Sequence, residues 1–366
     1  MGRLIKQRTS WAIRFDLPVA TGERKQRQIS GFRTKGEAKK ALTEIENKLI
    51  NNTYITEDLT IDQMFEVWFQ DYVNIRLAPK TQLYYTGLYE NYIKPYFEYI
   101  YLKNLRANII EKFYDDLKRK GASDDIIFKC HKTLRACLNK AYKWSYAGNK
   151  IMDRVTSPKE PKADTNFWEP PTIKKALAET ANSSVFFHIC TSLHLGLRLG
   201  EVCALVHEDV DFNKKVIRVN KTLQYLKGEV IVKEPKTESS KREIPLTHGM
   251  LTFFRKAIKK SKENQLFMGD KYNKTYINNF SVFENGDIMT DSYVTKRFKK
   301  DIEKLDLPSI RFHDLRHSCA SWLISNDVDL KTVQEILGHA EYSTTANIYA
   351  HVTKEKKKQA LEKLGF

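Results

Sequence analysis

The stretch Ile310–Tyr349, IRFHDLRHSCASWLISNDVDLKTVQEILGHAEYSTTANIY, decides how the rest of the chain is read. His313-Asp314-Leu315-Arg316-His317 opens a helical pattern in which Leu315, Cys319, Trp322 and Leu323 recur at i, i+4, i+7 and i+8, the spacing of one buried stripe. His313, Arg316 and His317 fall at i, i+3 and i+4 and share a different face. Leu330, Val333, Ile336 and Leu337 form a second stripe, and Gly338 supplies the left-handed residue that commonly ends a helix. His339 follows at that turn. Ser343-Thr344-Thr345 caps a third short helix, with Tyr349 about one turn inside it. Histidines, an arginine and a tyrosine are thereby gathered at the ends and on one side of three packed helices.

Arginine offers a planar fork of donors that matches phosphate oxygens. Imidazoles donate to phosphate or carry protons. A tyrosine hydroxyl has a free pKa of about 10, and nearby positive charge activates it as a nucleophile. A cationic pocket with a tyrosine suits attack on a phosphodiester. Taken one at a time, histidines that cap helices and a tyrosine packed in a core explain the same residues.

The set His313-x-x-Arg316-His317, Leu337-Gly338-His339, and Thr344-Thr345 followed by Tyr349-Ala350-His351-Val352 resembles the tyrosine recombinase family, also called phage integrases. The specificity lies in the combination, because HxxR alone is a weak signal. The resemblance covers nearly the whole chain and is strongest over residues 190–353.

Composition agrees. The chain has 366 residues, enough for two or three domains, and 41% of them are hydrophobic, which excludes wholesale disorder. A net charge of +17 points to a polyanionic partner, with nucleic acid ahead of an anionic membrane surface. No run approaches the roughly 20 apolar residues of a membrane span, and the N-terminus carries no secretory signal. The five cysteines, Cys130, Cys137, Cys190, Cys203 and Cys319, form no C-x-x-C pair. They read as buried thiols in a reducing cytoplasm, with no metal site.

At the N-terminus, Trp11-Ala12-Ile13-Arg14-Phe15 alternates as a strand does, and Arg24-Lys25-Gln26-Arg27-Gln28-Ile29 reads as a second strand. Thr34-x-x-Glu37 is a capping-box signature before a helix carrying Ala38, Ala41, Leu42, Ile45 and Leu49. A sheet studded with Arg14, Arg24, Lys25, Arg27 and Arg33 can lie in a DNA groove; a solvated basic hairpin is the alternative. Residues 51–59 read as a linker. From Thr60 to about Val155 four helices follow, with Thr81 and Ser123 or Asp124 as caps. Lys80, Lys129, Lys132 and Arg135, with Arg106 and Lys140, are candidates for phosphate contacts. Gly148-Asn149-Lys150 stands where the family often has an Asn-Pro turn. Residues 156–168 read as an exposed connector.

Further on, His194-Leu195-Gly196-Leu197-Arg198-Leu199-Gly200-Glu201 sets an arginine between two glycines, which allow a tight turn. Glu201 is placed to orient the Arg198 guanidinium, and Val202, Leu205 and Val206 continue a helix. A helix corner with a salt bridge is the plain alternative. The motif resembles the family's first arginine motif, although Leu195 stands where a small hydroxyl residue is frequent. Three strands follow, Val216–Val219, Thr222–Tyr225 and Val230–Val232. The pattern P-K-T-x-x-S-x-R-x-I-P-L over Pro235–Leu246 then resembles the family's catalytic lysine loop. Residues 269–285 form a longer loop, and a helix carries Val294, Phe298 and Ile302.

The resemblance implies a multidomain, mainly α chain with small β-sheets. An arm-type DNA-binding domain (residues 1–56) has a three-stranded sheet plus a helix. A helical core-binding bundle (57–160) and a mixed α/β catalytic domain with a C-terminal tail (161–366) follow. It also implies the roles. Tyr349 attacks the scissile phosphate and forms a 3′-phosphotyrosine; Arg198, Arg316 and His339 bind the nonbridging oxygens. His313 accepts the tyrosine proton, Lys236 protonates the leaving 5′ oxygen, and Glu201 and His317 support. No cofactor or metal is needed. The expected partner is double-stranded DNA, at core and arm-type attachment sites, bound by a homotetramer, with excision or DNA-bending proteins as accessories. The rivals are a metal-dependent nuclease with clustered carboxylates, a noncatalytic DNA-binding relative, and a type IB topoisomerase, which shares the chemistry.

Overall fold

Strand alternation and helical capping set up the N-terminal module. In the computed structural model, which describes residues 2–17, 25–50, 59–161, 166–226, 228–234 and 241–338, β1 (Arg3–Lys6), β2 (Trp11–Leu17) and β3 (Lys25–Phe32) form one antiparallel sheet in that order. Helix α1 (Lys35–Ile50) starts at the expected capping box, with Glu37 N donating to Thr34 Oγ1 at 3.1 Å and Thr34 N donating to Glu37 Oε2 at 3.4 Å. Ile13 and Phe15, two apart on β2, bury against Ala38 and Leu42, one turn apart on α1. Arg24, the cap at Ser343–Thr345 and the tail from Lys354 lie outside the described residues.

Two compact units divide the chain, residues 1–162 and 163–366. The four-helix pattern in the first is present, with two interruptions. Helix α2 (Ile61–Trp68) passes through a π turn (Phe69–Val73) into α3 (Asn74–Arg76); α4 (Pro79–Leu88) does the same through Tyr89–Ile93 into α5 (Lys94–Phe97). Helices α6 (Ala107–Arg119) and α7 (Asp124–Lys143) complete the set. Thr60 and Gln63 make a reciprocal capping box, worth about 1 kcal/mol. Ser123 Oγ accepts from Ile126 N at 3.3 Å and caps α7. Thr81 does not cap: Ala78 takes that position and Pro79 the first turn, where its missing N–H costs nothing. The π turns bring aromatic rings together, Phe65 stacking on Tyr89 at 4.6 Å.

The second unit holds α8 (Pro170–Glu179), α9 (Phe186–Leu195), α10 (Leu199–Ala204), α11 (His248–Met268), α12 (Asp291–Lys304), α13 (Asp314–Ser325) and α14 (Leu330–Leu337). Its strands β4 (Val210–Asp211), β5 (Val216–Val219) and β8 (Arg242–Pro245) form one antiparallel sheet, and β6 (Thr222–Leu226) and β7 (Glu229–Lys233) a hairpin. Two expectations change. Helix α10 ends at Ala204, so Leu205 and Val206 leave it extended and feed the β4 edge. Helix α13 is not a half-buried stripe: every residue from Asp314 to Ser321 is buried, while Trp322 and Leu323 are only partly so. The reason is packing on two sides, with Leu315 in the core of α9 and α12 and Cys319 in a separate core with Val333 and Leu337. Trp168 pins the entry to this unit, its N donating to Ser318 Oγ and its Nε1 to Pro308 O. Among the described residues no helix is long and apolar enough to cross a membrane.

His188 in α9 is wholly inside, its Nε2 2.7 Å from Ser281 Oγ, and burial pushes its pKa down to about 3. An unfolded chain takes up a proton near pH 6.5 that the fold refuses, so stability is lost as pH falls from about 6.5 towards about 3. Melting temperature followed across that window is expected to drop steadily for the full chain. His188→Gln, which keeps a donor towards Ser281 but cannot titrate, is expected to flatten part of the slope.

Candidate active site

The N-terminal turn of α13 is held by charge. Asp314, fully buried, accepts from Arg311 Nε at 3.1 Å and Nη2 at 2.9 Å, and from Arg311 N at 2.8 Å. A carboxylate at this end also complements the helix dipole. This clamp orients the two residues beyond it. Arg316, 1% exposed, donates from Nη1 to Gly196 O at 2.7 Å. His313 sits at the cap position of α13, and its ring stands perpendicular to that of His317 with centroids 5.1 Å apart.

The electrostatics follow from this crowding. Burial, and then the charge of Arg198, pulls the Arg316 pKa down to about 9, which leaves it cationic at neutral pH. Loss of solvent around the inner side of His313, then His317 and Arg316, pushes its pKa down to about 4. The residue as a whole is still solvent-exposed. His313 is thus a neutral base at pH 7. His317 is lowered as well, burial first; its Nδ1 is buried with no hydrogen-bond partner among the described residues.

A second arginine comes from the α9–α10 corner. Gly196 ends α9 with φ +62°, and a Cβ there would lie 2.2 Å from Leu337 Cδ2. Gly200 has another purpose than the turn expected of it: a Cβ would meet Thr222 Oγ1 at 2.5 Å, so glycine lets α10 lie against β6. Between them Arg198 donates from Nη1 to Glu201 Oε1 at 2.7 Å and from Nη2 to Gly338 O at 2.9 Å. Gly338 is the left-handed end of α14 that its sequence suggested. Glu201 also accepts from Arg198 N at 3.0 Å and from Arg242 Nη2 at 2.9 Å. Burial alone would raise the Glu201 pKa; Arg242 and Arg198 outweigh it and hold the carboxyl below its ordinary value, ionised.

Arg198, Glu201, Arg316, His313 and His317 are therefore brought into one neighbourhood at the α13 N-terminus and the end of α14. Lys236, His339 and Tyr349 lie outside the described residues. Arg242, which binds Glu201, was not singled out from the sequence. Its signal was available: Arg242, Ile244 and Leu246 alternate, and the latter two are buried. The Arg311–Asp314 clamp was missed too.

The expected DNA contacts are more scattered. Lys80, Lys132 and Arg135 are exposed and Lys129 is half-buried. On α7, Lys129 pairs with Asp125 at 2.6 Å, Arg135 with Asp153 at 3.4 Å and Lys132 with Glu160 at 4.0 Å. Exposed pairs of this kind are worth about 0–1 kcal/mol, which a phosphate can displace. In the N-terminal sheet the basic residues fall at both phases of the strand register. Arg14 pairs in register with Arg3 and Gln28, and its Nη2 donates to Gln28 Oε1 at 2.6 Å. Lys25 and Arg27 pair with Leu17 and Phe15, the opposite phase of the alternation, and Arg33 lies beyond the strand. Gly196→Ala, with its strained φ and its clash on Leu337, is expected to cost about 1–3 kcal/mol in denaturant unfolding. Because Gly196 O holds Arg316, the same variant is expected to lose DNA cleavage at temperatures where it is still folded.

Three family models match separate stretches of the chain. A model of the phage integrase family matches residues 172–356, an arm DNA-binding domain matches 1–49, and the N-terminal SAM-like domain of phage integrases matches 60–118. A protein named tyrosine recombinase XerC-like, from Caldanaerobacter subterraneus subsp. tengcongensis, is 28% identical over 354 residues, spanning 91% of this chain and 90% of its own. Among solved structures, the Tn1549 transposon integrase with transposon right end DNA aligns with TM-score 0.67 and 22% identity, over 84% of this chain and all of that one. The lambda integrase tetramer bound to a Holliday junction aligns with TM-score 0.62 and 14% identity, over 94% of this chain and 93% of that one. At these identities the two structures show a shared fold. The chain belongs to the phage integrase family and is a tyrosine recombinase, an enzyme that breaks and rejoins DNA strands.

Proposed function

We propose that the chain integrates and excises a mobile element through a 3′-phosphotyrosine intermediate formed by Tyr349. The observation that carries the reading is the meeting of two arginines from distant parts of the sequence: Arg198, bound to the buried Glu201 and to Gly338 O at the turn that leads to His339, and Arg316, bound to Gly196 O and within reach of the Arg198 charge. The Tyr349 oxygen attacks the phosphorus, and the bond from phosphorus to the 5′ oxygen breaks. His313, neutral at pH 7, takes the tyrosine proton. Lys236 gives a proton to the departing 5′ oxygen. Arg198, Arg316 and His339 stabilise the charge that grows on the nonbridging oxygens, a contribution of about several kcal/mol for donors fixed in advance. His317 packs beside His313 and supports it. The link conserves the phosphodiester energy, so a 5′ hydroxyl from a second strand reverses the steps without ATP.

The wider reading follows from family membership. Residues 1–56 form an arm-binding domain, 57–160 a core-binding domain and 161–366 the catalytic domain. Arg14, Arg24, Lys25, Arg27 and Arg33 serve arm-site binding; Lys80, Lys129, Lys132 and Arg135 serve core-site binding. Four copies act together on two DNA sites in the bacterial cytoplasm, with accessory proteins setting direction. The analogy behind DNA binding is the Tn1549 integrase with transposon DNA, and behind four copies acting together the lambda integrase tetramer on a Holliday junction.

Covalent trapping on a nicked recombination-site substrate, with EDTA and without ATP, tests the core of the reading. The chain is expected to form a protein–DNA adduct that Tyr349→Phe loses while still binding DNA. An adduct formed by Tyr349→Phe would rule out that nucleophile. Lys236→Ala is expected to slow cleavage by roughly 10²–10⁴. A substrate whose bridging 5′ oxygen is replaced by sulfur should largely restore it, since a thiolate leaves without a proton.

A further inference from the structure

Arg242 stands at the start of β8, six residues after Lys236 in the sequence, and nothing in the reaction as read so far uses it. Its side chain is 6% exposed, and that of its partner Glu201 is 4% exposed. The guanidinium donates to two separated parts of the unit. Nη2 and Nη1 face Glu201 Oε2 and Oε1 at 2.9 and 3.4 Å, a forked arrangement, and Nε donates to Ile336 O at 2.7 Å. Arg198 makes the parallel pair of contacts, to Glu201 and to Gly338 O. Two guanidiniums therefore share one carboxylate and together satisfy carbonyls at the C-terminal end of α14, where the helix dipole favours cations.

The charge count gives this arrangement its meaning. Glu201 facing Arg198 alone would be a neutral pair, and the phosphate would meet a cation already cancelled by its neighbour. With Arg242 on the same carboxylate, the three side chains sum to one positive charge. Both guanidiniums bind the carboxylate, and Arg198, at 34% exposed against 6% for Arg242, is the one of the two that faces solvent. We infer that Arg242 is a positioning residue for phosphodiester cleavage: it neutralises and fixes Glu201, so that Arg198 is held in line and still cationic towards the nonbridging oxygens. This rests on the phosphate-binding role proposed for Arg198.

The test compares single-turnover cleavage by the full chain of two recombination-site duplexes. One carries an ordinary scissile phosphate. The other carries a methylphosphonate there, in which a methyl replaces one nonbridging oxygen and the negative charge is gone. A residue acting through the Arg198 charge matters less on the neutral substrate, whereas a residue that merely supports folding slows both equally. Arg242→Met is expected to slow the phosphate substrate by about 10²-fold and the methylphosphonate by at least about tenfold less. Arg242→Lys keeps the charge and loses the fork, and should fall between Arg242→Met and the parent chain. Arg242→Met strands Glu201 as a buried charge and can fail to fold, so it is paired with the double variant Arg242→Met/Glu201→Gln, whose melting curve checks the fold. The double variant is expected to recover part of the phosphate-specific loss. Arg198→Ala serves as the reference, expected to show the same relief on methylphosphonate. If Arg198→Ala shows relief and folded Arg242 variants lose equally on both substrates, Arg242 is structural and the inference falls. If Arg198→Ala itself shows no relief, the role of Arg198 falls first and takes the inference with it.

Discussion

A single buried carboxylate organises the catalytic half of this recombinase. Glu201 lies at the first turn of a six-residue helix and receives Arg198 from its own turn and Arg242 from a strand. Burying a charge is costly unless it is paired and hydrogen-bonded. Here the pairing is with two guanidiniums, and burial still leaves the carboxyl ionised. The excess positive charge is the useful product of that arrangement, because the transition state of phosphodiester cleavage gathers negative charge. Removing the carboxylate would leave two cations crowded against Arg316; removing one arginine would leave a cancelled pair.

The second constraint is the burial of α13. A helix buried on all sides from Asp314 to Ser321 cannot shift without disturbing two cores at once, Leu315 in one and Cys319 in the other. Its polar residues are correspondingly held: Asp314 by Arg311, Arg316 by Gly196 O, and Ser318 between Trp168 N and Asp314 O. Polar groups on such an element are fixed in advance, which is what stabilisation of developing charge requires. Gly196 belongs to the same economy of space. Its carbonyl holds Arg316, and its missing side chain makes room for Leu337.

The basic residues of α7 in the first unit are held differently. Lys129, Lys132 and Arg135 are tethered to carboxylates by exposed pairs of small net value. Such pairs keep the side chains ordered and solvated without withholding them from a phosphate backbone. The N-terminal sheet contrasts with this, because its register divides its cations between two phases of the strand alternation.

Much was legible in the sequence because it is written in local patterns. The capping box at Thr34, the left-handed Gly338, the β5 to β7 strands and the four helices of the first unit each depend on residues within a turn or a strand of one another. The grouping of His313, Arg316 and His317 is likewise local, since helical spacing alone puts them together. Tertiary structure decided what distance in sequence conceals. That Arg242 faces Glu201 depends on β8 lying beside β5 and on α14 ending above it. That Gly200 serves a close approach to β6 depends on what lies opposite it. The phase that separates Arg14 from Arg27 comes from strand register, which one residue of slip would invert. The shared reason is physical: periodicity reports which face of an element is apolar, but only packing decides which charge from another part of the chain is brought against it.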